Sequence, residues 1–149
     1  PWLLSGSQVK GLLMSKSERF QQGAARLQDM GNNSPIGSRL LEVCPDLNDY
    51  IREFAFGDVH SRPGLSKREH ELVILSAIAT LGYAPVELKS HINMALNVGV
   101  TRAEILEVFI QLAVYAGFPA AVNAVFTAKE VFDERDQQGL DKDCGKDTH

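Results

Sequence analysis

Between Ser66 and Pro119 the chain is punctuated as a series of helices with defined ends, and this constrains its fold more than any other feature. Ser66-Lys67-Arg68-Glu69 is a capping box, in which the serine oxygen takes the N3 amide and the glutamate reaches back to the serine amide. Glu71 to Leu81 follows, with Leu72, Leu75, Ile78 and Ala79 apolar and Gly82 as a stop. Pro85 suits the first turn of a helix that runs to Val98 and stops at Gly99. Thr101-Arg102-Ala103-Glu104 is a second capping box, opening a helix to Ala116 with Gly117 as its stop; Pro119 then starts a last helix, to about Arg135. Sustained period-two alternation occurs nowhere. The chain reads as all-α, with short connections between antiparallel neighbours.

Upstream the signals are weaker. Ser17 to Met30 places Phe20, Ala24 and Leu27 on one stripe and ends at Gly31. Asn32-Asn33-Ser34-Pro35 is a turn cluster, Ile36 to Val43 a short helix, and Pro45 opens a clearer one over Asp46 to Phe56, ending at Gly57. Asp58 to Leu65 contains Pro-Gly and has no period, so it reads as a loop. Residues 1–14 read as a tag or flexible leader, with Met14-Ser15-Lys16 a more natural start and no basic n-region or cleavage site to suggest a signal peptide. One domain is expected over 15–135, followed by a flexible polar tail over 136–149.

With 149 residues the chain can build one real core. A net charge of −4 and the lack of a basic stripe give no reason to expect nucleic-acid binding. The longest apolar runs are broken by charge before membrane-spanning length, so no membrane span is expected. Cys44 and Cys144 form neither a CxxC nor a zinc-type spacing, which suits reduced thiols in a cytoplasmic protein. Ile105 to Ala116 is apolar nearly all round, and a helix without a polar face must be covered on every side. In a domain this small, that points to a subunit interface in a homo-oligomer.

Among residues able to do chemistry, His91 carries the strongest signal. It lies one helical turn after Glu87, so the two side chains share a face. The pair reads either as a polar contact held in a core or as a general acid/base device tuned by burial and the carboxylate. Glu71, ahead of an apolar run, is either solvated near a helix end or pointed into a site. His60 and Arg62 sit on the Pro-Gly loop, where Arg62 is a natural fork for a substrate carboxylate or a partner in a salt bridge. His70 reads as solvent-facing. Tyr115 and Phe118 flank Gly117 and either wall a pocket or pack in the core. A metal centre of His60, His70, Glu87 and His91 lacks any dedicated ligand spacing, and no metal is expected. A serine hydrolase lacks its GxSxG elbow.

The segments EFAFGDVHSRPGLSKREHELV and ELKSHINMALNVGVTRAEILEVFIQLAVYAGFPAAVNA resemble the carboxymuconolactone decarboxylase family, and the likeness covers about Phe20 to Glu134. It implies an alkylhydroperoxidase-D-like bundle of about six helices, packed across subunits in a trimer or hexamer. In the peroxidase branch of that superfamily, a CxxC precedes a histidine on one helix and a relay glutamate lies on the helix before. The histidine matches His91 and the glutamate Glu71, but the cysteines fall at about Ala84 and Glu87, so both thiols are missing. Peroxide chemistry of the CxxC kind is therefore not expected. The decarboxylase branch acts on a small carboxylated lactone without a cofactor. There Arg62 suits carboxylate orientation, with His60, Tyr115 and Phe118 as further substrate contacts, and His91 suits proton transfer with Glu87 setting its tautomer. The well-defined decarboxylases carry Trp at the position of Phe56, another aromatic at His60, and no glutamate at Glu71. Three readings stay open: a decarboxylase of a lactone or keto acid, an antioxidant oxidoreductase of the peroxiredoxin type, and a non-enzymatic oligomeric binding protein.

Overall fold

The computed structural model describes residues 6–31 and 34–141, with side chains from Glu18 onward. Cys144, most of the expected tail, part of the expected leader and Asn32-Asn33 lie outside the described residues. The described residues are all-α. Seven α-helices and one π-helical stretch divide between two compact units, Pro1–Gly64 and Leu65–His149.

The first unit contains α1 (Gly6–Asp29), α2 (Ile36–Val43) and α3 (Pro45–Tyr50), and α3 continues without a break into a π-helical run, Ile51–Val59. The helix expected to end at Gly57 thus takes in Asp58 and Val59. Its last bond, from the His60 amide to the Ala55 carbonyl at 2.8 Å, spans five residues. α1 lies against this run almost backbone to backbone. A methyl group added at Gly23 would sit 1.7 Å from the Arg52 carbonyl oxygen, and one at Gly57 would sit 2.5 Å from that of Arg19. Only glycine fits at either place. Arg19 bridges the same two elements, with Nε 3.0 Å and Nη2 2.5 Å from the Asp58 carboxylate.

The second unit is built from α4 (Lys67–Leu81), α5 (Pro85–Asn97), α6 (Arg102–Ala116) and α7 (Phe118–Gln138). Both capping boxes form as the sequence predicts, at Ser66/Glu69 and Thr101/Glu104. The amide and hydroxyl of Ser66 hold the Glu69 carboxyl below its usual range, and the Thr101 amide, then Arg68, do the same for Glu104. Arg68 also ties the two capped helix starts together through its pairing with Glu104. Gly82 ends α4 with φ 74° and ψ −5°, a left-handed conformation that favours glycine. The chain then reverses into α5. The four helices enclose Leu75, Leu88, Ile92, Ile105 and Phe109, and the small residues Ala121, Ala124 and Ala128 let α7 lie close.

α6 is covered on one side only. Ile105, Phe109 and Leu112 are buried, while Ile110, Val114 and Tyr115 stand exposed. α7 runs past the Arg135 expected as its end, to Gln138, and residues 136–141 are folded into the unit. The reason is electrostatic. Arg135, 7% exposed, donates to the side-chain oxygens of Asn93 and Asn97 at 3.1 and 3.0 Å, and forks onto Asp141 at 2.8 and 2.9 Å. Arg102 reaches both Asp136 and Asp141. A buried guanidinium is costly unless paired, so the turn after α7 closes back onto it.

Two measurements check this account. Gly23→Ala should destabilise the protein by about 3 kcal/mol in urea unfolding, since backbone blocks the added methyl. Asp141→Asn should cost about 3 kcal/mol at pH 7, because it strands a buried charge. Arg135 and Arg102 lower the Asp141 pKa in the folded state, below its ordinary 3.8. The stabilisation is therefore complete above that ordinary value and lost as pH falls through the lowered one. The gap between wild type and Asp141→Asn should accordingly close in strong acid.

Candidate active site

α4 and α5 form a helical hairpin about the Gly82–Pro85 turn, and their facing sides bring Glu71 of α4 to His91 of α5. His91 Nδ1 lies 2.9 Å from Glu71 Oε2, and the Glu71 side chain is completely buried while that of His91 is 16% exposed. With Glu71 ionised, its oxygen can only accept a hydrogen bond, which would make Nδ1–H the donor and leave the lone pair on Nε2. Both residues also take part in other contacts within the chain. The arrangement is a buried carboxylate orienting an imidazole that keeps access to solvent, which is the usual construction of a proton-transfer histidine.

This differs from the pairing expected along α5. Glu87 sits in the first turn of that helix, exposed, and no hydrogen bond joins it to His91. Its carboxylate favours bulk water and the positive end of the helix dipole, whereas Glu71 has no exposed surface and must find its partners inside the protein. The carboxylate that orients His91 comes from the neighbouring helix.

The remaining residues singled out from the sequence fall in different surroundings. Tyr115 and Phe118 are 84% and 76% exposed at the α6–α7 junction, so neither packs in the core of the second unit. His70 is half-buried on α4, where a solvent-facing side chain is expected. His60 belongs to the first unit and is buried. Its Nδ1 accepts from Arg26 Nε at 2.9 Å and its ring stacks on Phe56, so it does not present itself to a substrate. Arg62, on the exposed turn after the π-helical run, makes no side-chain hydrogen bond or ion pair among the described residues. Cys44 is exposed between α2 and α3. Among the described residues no group of three or more His, Cys, Asp or Glu side chains is arranged to hold a metal ion, and no helix is long and apolar enough to cross a membrane.

The second unit also contains a cavity of about 340 Å³ where α7 passes the Gly82–Pro85 turn. Ile78, Leu88 and Phe126 supply its apolar wall, and Asn123, Thr127 and Glu130 its polar groups; Glu71 and His91 do not line it. None of these polar residues stands out in the sequence. Each is one of many on the outward side of a long helix. Lys89, which pairs with Glu130 and Glu134 at 2.9 and 3.0 Å, is equally inconspicuous.

The chain belongs to the carboxymuconolactone decarboxylase family, whose sequence profile matches residues 45–130. It is 36% identical over 124 residues to 4-carboxymuconolactone decarboxylase of Acinetobacter baylyi, covering 80% of this chain and 90% of that one. Nitrosuccinic acid decarboxylase of Metarhizium robertsii is 35% identical over 124 residues, covering 80% and 85% of the two chains. A 15.0 kDa protein of uncharacterised function from Paracoccus denitrificans is 30% identical over 98 residues, covering 65% and 73%.

The Glu71–His91 contact gives a spectroscopic prediction. Nitrogen NMR should find the His91 proton on Nδ1 in the wild type, and Glu71→Leu should move the neutral ring toward the Nε2–H form.

Proposed function

We propose that this protein is a cofactor-independent decarboxylase that takes 4-carboxymuconolactone or a related lactone or keto acid, with His91 as its proton-transfer residue. The observation that carries the reading is the 2.9 Å contact between His91 Nδ1 and the buried carboxylate of Glu71. The two decarboxylase relatives support it from another side. Their named substrates are both acids whose departing carboxylate lies in conjugation with, or beside, an electron-accepting group.

Such a reaction has few chemical needs. The C–C bond to the carboxylate breaks, CO2 leaves, and the electron pair moves into the unsaturated lactone toward its carbonyl oxygen. A donor at that oxygen stabilises the charge, and a proton then returns to carbon. Nε2 of His91 can serve either step, since the Glu71 carboxylate stabilises the ring when it carries the extra proton. Arg62 keeps the role its chemistry suggests, binding a substrate carboxylate through its guanidinium fork. Glu87 is then dispensable for proton transfer. A thiol-peroxidase reading of the CxxC kind is disfavoured by the family resemblance, which puts Ala84 and Glu87 where the two cysteines would be.

The exposed apolar residues of α6 and the start of α7, Ile110, Val114, Tyr115 and Phe118, support a homo-oligomer, a trimer or hexamer, in which they are covered. Light scattering on the purified chain checks this: a monomer at micromolar concentration contradicts it.

For the reaction, decay of 4-carboxymuconolactone absorbance gives the assay. His91→Ala should lower kcat/KM by about 10²–10⁴-fold and Glu71→Gln by about tenfold or more, while Glu87→Gln stays within about threefold of wild type. Retention of wild-type kcat/KM in His91→Ala would remove His91 from the mechanism. Thiol-dependent peroxide turnover that survives Cys44→Ser would contradict the chemistry proposed here.

A further inference from the structure

The turn that carries Arg62 is held by a residue more than thirty positions away. Arg26, in the last turn of α1, donates from Nε to Nδ1 of His60 at 2.9 Å and from Nη2 to the His60 carbonyl oxygen at 2.8 Å. One guanidinium thus grips both the ring and the backbone of the same residue. A guanidinium N–H can only donate, so Nδ1 is the acceptor and the ring proton lies on Nε2. The ring is 3% exposed and stacks on Phe56, with centroids 5.5 Å apart.

Two further bonds fasten the same turn. Ser61 Oγ donates to the Phe56 carbonyl at 2.6 Å, and the Arg62 amide donates to the Val59 carbonyl at 3.2 Å. All of this closes a π-helical run, a geometry less favourable than the α-helix and frequent at functional sites. A simple connection would need no half-buried arginine fork on its backbone. The Arg62 side chain contrasts with its support: it is exposed, and its guanidinium pairs with no described residue. A rigid backbone with an unengaged cationic head suits the capture of an anion from solution, because little ordering is left to do on binding.

We propose that Arg26 and His60 are positioning residues that hold the Arg62 turn in place to take a carboxylate of the substrate. This rests on the decarboxylase reading for the identity of the ligand, while the clamp itself rests on contacts within the first unit. His60 acts through Arg62, from a buried position, in place of the direct substrate contact expected from the sequence.

The test uses three substitutions in the full chain. Arg26→Gln removes the fork, His60→Phe keeps a stacking ring but no acceptor, and His60→Asn offers an amide oxygen near the Nδ1 position. Arg26→Gln and His60→Phe should raise KM for 4-carboxymuconolactone about tenfold with kcat within about threefold, and His60→Asn should recover most of the loss. In an Arg62→Ala background the same changes should have no further effect on KM. Amide hydrogen exchange across residues 60–64 should speed up in Arg26→Gln and His60→Phe and stay near wild type in His60→Asn. Faster exchange with unchanged KM would overturn the proposal, as would an equal further loss in the Arg62→Ala background. If the wild type leaves 4-carboxymuconolactone untouched, the decarboxylase reading fails for that substrate. Calorimetric titration with succinate then decides the clamp. Binding weakened about tenfold by Arg26→Gln, but not further weakened in Arg62→Ala, supports it. No succinate binding to the wild type overturns it.

Discussion

A carboxylate with no exposed surface must be given partners by the fold, and Glu71 is such a carboxylate. An unpaired charge in the apolar seam between α4 and α5 would cost several kcal/mol, enough to threaten a small protein. His91 is one of the groups that meets that need, and it can do so only if the two helices are antiparallel and in the right register. The left-handed glycine at position 82, the proline at 85 and the two capping boxes set the ends of those helices. The geometry of the Glu71–His91 contact is therefore the product of chain punctuation some distance away. Stability and the carboxylate–imidazole contact depend on the same hairpin.

The helices of the second unit were legible because their signals are local. Ser66 with Glu69, Thr101 with Glu104, and the glycines at 82 and 117 act within a turn of chain, and each ends an element where expected. The partner of His91 was harder to read. Spacing along one helix favours Glu87, but burial selects between carboxylates, and burial is set by the neighbouring helix. Resemblance to relatives singled out Glu71, and spacing along the chain does not, since counting outward from the hairpin turn would pair His91 with Ser76.

Long-range pairs were not legible. Arg26 is one of several charged residues on an amphipathic helix, and nothing near it marks His60, thirty-four positions later, as its acceptor. Arg135 and Asp141 misled for a related reason. A polar, glycine-containing stretch reads as a tail unless the buried guanidinium that draws it back is known. The π-helical run escaped notice because its sequence has ordinary helix periodicity; what shapes it is the close approach to α1 at Gly23 and Gly57. In each case the deciding contact joins segments whose proximity only the fold supplies.

That Glu87 stands apart from the imidazole has an evolutionary reading. The first turn of α5 is exposed at 86 and 87, and Ala84 lines the neighbouring cavity, so these positions can change without disturbing the buried contact one to two turns further on. The hairpin thus separates an exposed mouth from a buried carboxylate–imidazole contact. Charge and bulk can be exchanged at its mouth while the carboxylate–imidazole contact keeps its place between the two helices.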